Sequence, residues 1–102
     1  ALYRIEDPRK IENSYTLRVI NRTEQAREFR ISATGLDDLK IESEVAFRLA
    51  PGEVGSIPTT LSVPRGSVQG GQDIVVTVTA TDDLAVTASH ASRFFGPVGG
   101  SR

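Results

Sequence analysis

Apolar and polar residues alternate along much of the chain, and residues 11–23 show this pattern most clearly. Tyr15, Leu17 and Val19 are separated from one another by single polar residues. Because successive side chains of a strand point to opposite faces, this alternation predicts a strand whose apolar face is turned inward. The turn-forming run Asn21-Arg22-Thr23 ends the strand. We expect the remaining segments to pack on this strand or to pair with it.

The same two-residue period recurs in segments that are separated by turn-forming residues. We predict strands over residues 2–5, 12–21, 27–34, 39–42, 45–49, 54–63, 73–81 and 85–95. No segment shows an apolar period of 3.6 residues, so we expect no helix longer than a turn. About seven short strands with frequent turns favour an all-β fold, an immunoglobulin-like or fibronectin-III-like sandwich of two antiparallel sheets. A small closed barrel is the alternative.

The connections between the predicted strands indicate which of them pair. Thr23-Glu24-Gln25 and Asp82-Asp83-Leu84 are short polar turns, so each predicts an antiparallel hairpin between its flanking strands. Pro58 lacks an amide hydrogen and lies inside a predicted strand, which makes that part of the strand an edge or a bulge. We expect residues 1–97 to form one sandwich domain and residues 98–102 to be a flexible tail.

Inward-facing apolar residues of the predicted strands form the candidate core. The residues in this register are Tyr15, Leu17, Val19, Phe29, Ile31, Ala33, Ile57, Leu61, Val63, Ile74, Val76, Val78, Ala80, Val86, Ala88 and Phe94.

Composition and charge exclude several classes of protein. The chain of 102 residues carries 12 basic and 13 acidic residues, whereas a nucleic-acid-binding domain usually has an excess of Lys and Arg. No apolar run approaches the ~20 residues of a membrane-spanning helix. The absence of Cys rules out disulfides, thiolate zinc sites and iron–sulfur ligation within these residues, and with them the antibody-type core. Because no Met or signal peptide opens the chain, we expect it to be a segment of a longer protein.

Charged residues are distributed unevenly between the two halves. Residues 1–50 carry 9 basic and 9 acidic residues, and residues 51–102 carry 3 and 4. The outward positions of the second half are instead hydroxyl-bearing: Thr77, Thr79, Thr81, Thr87 and Ser89. This pattern is typical of ordinary strand propensity, since β-branched Thr fits a pleated surface. The alternative is a charge-poor face that contacts a partner, because the centres of interfaces are depleted in charge.

Several short runs of sequence resemble one known family. They are Leu2-Tyr3-Arg4, Ile11-Glu12-Asn13-x-Tyr15-x-Leu17-x-Val19-x-Asn21-Arg22-Thr23, Phe29-Arg30-Ile31-Ser32 with Gly35-Leu36, Pro51-Gly52-Glu53, and Ser92-Arg93-Phe94-Phe95-Gly96-Pro97. Together they resemble the C-terminal domain of the FixG family, also called cytochrome c oxidase accessory protein CcoG. The resemblance extends from about residue 2 to residue 97 and is a pattern of strand residues, with no catalytic signature.

The resemblance implies a membrane-bound parent protein. FixG-type proteins are inner-membrane proteins with ferredoxin-like cysteine clusters, linked to nitrogen fixation and to assembly of the cbb3-type cytochrome oxidase through reduction of copper. Their C-terminal domain is expected to be immunoglobulin-like and periplasmic. The [4Fe–4S] clusters belong to upstream segments that are not in this sequence, so we expect this fragment to hold no cofactor and to be no enzyme by itself.

The function implied is therefore that of a non-catalytic accessory module that docks a protein partner, either the cbb3-type oxidase or its assembly components. We expect no nucleic-acid partner and no direct insertion of this fragment into the membrane. The alternative is a structural spacer or adhesin-like sandwich of a bacterial surface protein. A small-molecule or metal-binding enzyme domain is a third possibility, but no constellation of residues supports it.

The candidate metal ligands are few. His90 is the single histidine, whereas copper prefers several imidazole or sulfur ligands, so we interpret it as a structural or solvent-facing residue. Calcium needs 6–8 converging oxygens, and loop carboxylates could supply some of them. Acidic residues also favour turns, and we interpret the three acidic pairs in that way. The pairs are Glu6-Asp7, Asp37-Asp38 and Asp82-Asp83.

Other motifs also have simpler interpretations. Asn21-Arg22-Thr23 matches a glycosylation sequon, but we interpret it as a turn. The loop over residues 66–71 has no Lys after its glycines, so it is a flexible loop and not a phosphate-binding one. No Gly-x-Ser-x-Gly run frames a nucleophile. We therefore assign no catalytic, cofactor-binding or metal-ligating residue.

Basic residues are frequent in the first predicted hairpin. Arg18, Arg22, Arg27 and Arg30 are expected to cluster on its outer face. Because acidic residues lie close by in sequence at positions 24 and 28, we expect mutually paired surface charges and not an anion site.

Overall fold

Strands form at nearly every place that the alternating pattern predicts between residues 9 and 97, the part of the chain that this computed structural model describes. The seven strands are β1 (Lys10–Ile20), β2 (Arg27–Thr34), β3 (Lys40–Ile41), β4 (Ala46–Leu49), β5 (Val54–Pro64), β6 (Gly71–Ala80) and β7 (Thr87–Phe95). No helix occurs in residues 9–97. The strand predicted over residues 2–5 and the tail predicted over residues 98–102 lie outside the described residues.

The strands are arranged in two sheets. One has three strands in the order β1-β5-β3, and the other has four in the order β4-β2-β6-β7. Every pairing is antiparallel. Two separate sheets with open edges make a sandwich, so the predicted immunoglobulin-like architecture is confirmed and the closed barrel is not formed.

The predicted hairpin between the first two long strands is wrong. β1 pairs with β5, from Lys10 opposite Pro64 to Ile20 opposite Val54. β2 pairs with β4 and β6 in the other sheet. The short connection therefore crosses from one sheet to the other, and the two strands face each other through the interior. The two-residue period identifies the buried face of each strand but not its neighbour, which explains the error.

The second predicted hairpin is confirmed. β6 pairs with β7 from Gly71 opposite Phe95 to Thr79 opposite Thr87, without interruption of the register. Both strands belong to the four-stranded sheet, and β7 is its outer strand.

Apolar residues from both sheets fill the interior. The buried set is Ile11, Phe29, Ile31, Leu49, Leu61, Val63, Val68, Ile74, Val76, Val78, Ala80 and Phe94. Most of these residues occupy predicted inward positions, and each large side chain contributes about 1.5–3 kcal/mol on burial. Val68 is a core residue that the alternating pattern does not predict, since it lies in a segment predicted as a loop. It packs closely against Gly96. Tyr15, Leu17 and Val19 are only partly buried and pack at the border of this core.

Pro58 occupies the position that its missing amide hydrogen requires. Thr60, two residues later, directs its N–H to the hydroxyl of Ser43 and its C=O to the amide of Glu42. Alternate residues of an antiparallel strand direct these groups to the same side, so Pro58 also points away from β1. β3 ends before this level, so the strand is an edge there, as predicted, and its register with β1 contains no bulge.

Candidate functional site

The outer strands of the two sheets, β1 and β7, border the same side of the sandwich. β1 is the outer strand of the three-stranded sheet, and β7 is the outer strand of the four-stranded sheet. Asn13 and Tyr15 of β1 both contact the main chain of β7. We refer to the gap between the neighbouring edges of β1 and β7 as the seam.

Two polar side chains close one end of the seam. Asn13 donates from Nδ2 to the carbonyl oxygen of Phe95 at 2.9 Å and accepts at Oδ1 from the amide of Phe95 at 2.8 Å. The hydroxyl of Tyr15 donates to the carbonyl oxygen of Arg93 at 2.8 Å. Its oxygen also lies 3.4 Å from Asn13 Oδ1, but its single hydrogen serves the shorter contact. Burial raises the pKa of Tyr15 to about 12.

Beyond this closed end the seam opens into a first cavity of about 310 Å³. Leu17 and Arg18 line it from β1, and His90 and Ser92 line it from β7. Val76 of the neighbouring strand β6 also contributes to the lining. His90 is exposed and lies opposite Val76 in the sheet.

A second cavity of about 270 Å³ follows toward the end of β1. Its apolar lining comes from Val19, Phe29, Val78, Val86 and Ala88, among others. Ala88 is exposed although its side chain is in register with the buried face of the sheet, because it lines this open cavity between β7 and the end of β1.

The free edge of β7 carries hydrogen-bonding groups that no other strand in residues 9–97 uses. Phe95 and Arg93 direct main-chain groups into the seam, where Asn13 and Tyr15 bind them. The register with β6 is continuous, so every second residue of β7 has the same orientation. Ala91, Ser89 and Thr87 therefore also present their N–H and C=O groups at the edge.

Near the end of β1, the edge that β5 does not occupy has the same character among residues 9–97. Asn21 directs its N–H to Glu53 and receives the N–H of Gly52 at its carbonyl oxygen, so odd-numbered residues of β1 face β5. The even-numbered residues Arg18 and Ile20 then face the seam with their main-chain groups. The open part of the seam is thus bordered by edges of two different sheets, and no other strand in residues 9–97 pairs with either edge there.

The charge at the described part of the seam is positive. Arg18 lines the first cavity and Arg22 the second, and no Asp or Glu is found among the described residues that line either one. Neither arginine forms an ion pair within residues 9–97. Arg27 instead binds Asp82 at 2.9 Å, at the turn between β6 and β7.

The predicted cluster of four arginines is therefore wrong. It assumed that β1 and β2 are neighbours, but they lie in different sheets. Arg30 is on the outer face of the four-stranded sheet, opposite Thr79, and does not line the seam.

The candidate metal ligands do not converge in the described part of the chain. No group of three or more His, Cys, Asp or Glu side chains that could hold a metal ion is found there. Asp82 binds Arg27, and Asp83 accepts the amide of Ala85 at 3.0 Å, which is a turn interaction. Asp38 has a positive φ of 60°, also typical of a turn. Glu6-Asp7 lies outside the described residues.

Asn21 holds the corner where the chain crosses between the sheets. Its side chain is 1% exposed and donates to the carbonyl oxygens of Gln25 at 2.8 Å and Leu49 at 3.1 Å. Its Oδ1 accepts the amide and the hydroxyl of Thr23. The sequon is therefore a turn, as predicted, with its amide nitrogen fully used inside the protein.

The threonine and serine residues that were predicted to point outward in residues 51–102 do point outward. Thr77 contacts Ser89 at 2.9 Å and Thr79 contacts Thr87 at 2.8 Å, hydroxyl to hydroxyl. Thr81 donates to Glu28 at 3.2 Å. These hydroxyls are thus already paired across the strands, which is the behaviour of an ordinary sheet surface.

Sequence reasoning missed the role of Asn13. The residue is 2% exposed and occupies the inward register of β1, between Ile11 and Tyr15. An amide in an otherwise apolar register requires buried partners, so its position alone could have indicated a contact with another strand. The identity of that strand was not available from the pattern.

The fold can be compared with known proteins. The family model described as "IG-like fold at C-terminal of FixG, putative oxidoreductase" matches residues 1–97. Among solved structures, a FixG-related protein from Vibrio parahaemolyticus is 30% identical, with a TM-score of 0.76, over 84% of this chain and 79% of that chain. No curated protein matches. The described residues contain no helix that is long and apolar enough to cross a membrane.

Segments that carry the family resemblance meet one another in space. Asn13 of the first motif contacts Phe95 of the last one. Asn21 contacts Gly52 and Glu53 of the mid-chain turn. The first contact joins the two sheets, and the second extends the pairing of β1 with β5, so the motif residues in these contacts serve to hold the sandwich together.

Proposed function

Because this chain belongs to the family of immunoglobulin-like domains found at the C-terminus of FixG, we propose that it is a non-catalytic interaction module of a FixG-type protein. Its parent would be a membrane-bound iron–sulfur protein, with this domain on the periplasmic side. The module would dock a protein that takes part in assembly of the cbb3-type cytochrome oxidase and in the delivery of copper to it.

The seam is the observation that supports an interaction role. Two strand edges, whose main-chain groups near the cavities pair with no other strand in residues 9–97, flank cavities of about 310 and 270 Å³ with substantially apolar linings. Exposed sheet edges bind extended segments of other proteins by main-chain hydrogen bonding, and neighbouring cavities provide specificity. The arrangement suits the docking of a polypeptide.

Co-purification from membranes tests the proposal. The full-length protein would be isolated with and without residues 1–97, and proteins recovered with it would be identified by mass spectrometry. We expect a component of oxidase assembly to be lost with the domain, together with a fall in assembled oxidase. Equal abundance of both forms in the membrane is the necessary control. Unchanged partner recovery and unchanged oxidase assembly would contradict the interaction role.

A further inference from the structure

We propose that the seam binds an extended acidic segment of a partner protein, which pairs with the free edge of β7 as an additional strand and inserts apolar side chains into both cavities. This inference rests on the proposed function, because it names the surface and the kind of segment through which docking occurs.

Main-chain geometry supports the added strand. Thr87, Ser89 and Ala91 each present an N–H and a C=O group at the edge of β7, on the side that β6 does not occupy. Phe95 shows that this edge accepts such pairing, since the amide group of Asn13 binds both of its main-chain groups there. Beyond the reach of Asn13 and Tyr15, an incoming strand would form the same kind of hydrogen bonds with the main-chain groups of β7.

The two cavities set the spacing of the inserted side chains. Along β7, the first cavity is lined around His90 and Ser92, and the second around Val86 and Ala88. Their centres are therefore about four residues apart, or ~13 Å along a strand. Side chains at positions i, i+2 and i+4 of a strand share one face, so apolar residues at i and i+4 would fill both cavities. The residue at i+2 would be small or polar.

Charge complementarity identifies the segment as acidic. Arg18 and Arg22 border the two cavities, and the described lining contains no carboxylate to balance them. A strand with Glu or Asp at i+1 and i+3 would bring negative charge to these arginines, whereas a basic strand would be repelled.

Peptide binding to the 102-residue chain tests this inference. The probe is a fluorescein-labelled nine-residue peptide with valine at i and i+4, threonine at i+2 and glutamate at i+1 and i+3, followed by fluorescence anisotropy. We expect saturable binding that is about tenfold weaker when lysine replaces both glutamates. Proline at both i+2 and i+3 should abolish binding, because neighbouring residues of a strand direct their N–H groups to opposite sides, so one of the two faces β7 in either strand direction. Equal binding of all three peptides would overturn the inference.

Variants of the chain locate the binding surface. We expect the double variant R18E/R22E to lose about tenfold in affinity for the glutamate peptide and to bind the lysine peptide more tightly. R30E is the control, since Arg30 is exposed on the outer face of the four-stranded sheet, where β6 separates its strand from β7, and should leave binding unchanged. A88L fills the second cavity from an exposed position and should weaken binding without unfolding the domain, as checked by circular dichroism. Equal losses for R18E/R22E and R30E would contradict the assignment.

The outcomes distinguish this inference from the proposed function. If no peptide binds but deletion of residues 1–97 still removes the partner, the seam is not the docking surface and the interaction role stands. If the peptides bind as expected but deletion removes no partner, the surface is correctly identified and the proposed role is wrong. Self-association of the free chain that A88L abolishes would identify a second copy as the occupant and overturn the inference.

Discussion

The side-chain amide of Asn13 pairs with both main-chain groups of Phe95, at 2.9 Å to the carbonyl oxygen and 2.8 Å from the amide nitrogen. One side chain thus replaces a neighbouring strand for a residue that lies 82 positions away in the sequence. The contact joins the two sheets at their edges and fixes the point at which the seam closes.

We predict that replacing Asn13 by Ala lowers the free energy of unfolding by about 2–4 kcal/mol. The change leaves the part-buried N–H and C=O of Phe95 without their side-chain partner, and each such group costs about 1–3 kcal/mol when it is left unsatisfied. Urea denaturation measures the effect. Ser14→Ala is the matched control, since Ser14 is exposed and makes only a 3.3 Å contact with Thr60. A loss no larger than that of the control would contradict the structural role of the amide.

Tyr15 should make stability depend on pH in the alkaline range. Burial raises its pKa to about 12 in the folded state, above the ordinary value of 10.0. The neutral phenol is therefore favoured by folding, so its contribution is complete below pH 10 and declines as the pH rises toward 12. Unfolding by urea at pH 9 and pH 11 measures this decline.

Tyr15→Phe provides the control for that experiment. The variant should lose about 0.5–1.5 kcal/mol at neutral pH, since the hydrogen bond to Arg93 disappears. It should also show a smaller change between pH 9 and pH 11 than the original protein. An identical alkaline decline in both proteins would assign the effect to other groups.

Asn21 should be as important to stability as Asn13. Its side chain makes four hydrogen bonds, to Gln25, to Leu49 and twice to Thr23, and it is buried. We predict that Asn21→Ala costs about 2–4 kcal/mol, because several of these partners become unsatisfied. Thr23→Val, which keeps the shape but removes one hydroxyl, should cost about 1 kcal/mol. Thermal and urea unfolding of both variants would measure the difference, and equal losses would contradict the ranking.

Gly35 and Gly52 form a matched pair for testing close packing. Both have positive φ, 125° and 74°, so a side chain at either position strains the backbone by about 1–2 kcal/mol. A Cβ at Gly35 would also lie 2.7 Å from the carbonyl oxygen of Asp73, whereas nothing lies within 4 Å at Gly52. We therefore predict that Gly35→Ala is clearly more destabilising than Gly52→Ala in urea denaturation. The reverse order would show that the loop before Asp37 does not approach β6 this closely.

Most strands could be predicted from the sequence because the alternation of apolar and polar residues within each strand identifies its buried face. Ile74, Val76 and Val78 alternate with other residues and are all buried, and β2 begins and ends where the pattern predicts. Which strands are neighbours is a different kind of information. β1 and β2 are separated by a short polar turn, yet Asn21 directs the chain across the interior. The turn sequence has the composition of a hairpin, and only the buried partners of Asn21 reveal the crossing.

The seam could not be predicted for a related reason. Leu17, Val19 and Ala88 have the alternation of core residues, but they lie at the border where the two sheets fail to cover each other. Periodicity assigns a side chain to a face and is insensitive to how far the opposite sheet extends. His90 and Arg18 likewise meet at one cavity from strands that are distant in sequence.

The uncovered margin of β7 also has a consequence for how the protein behaves at high concentration. Edge strands of natural sheets often contain lysine, proline or a bulge, which discourages aggregation. The edge strand Thr87–Phe95 contains none of these three. Amyloid-like stacking and exchange of strands between molecules are therefore hazards of this strand, and any contact that covers its edge would protect the molecule against both.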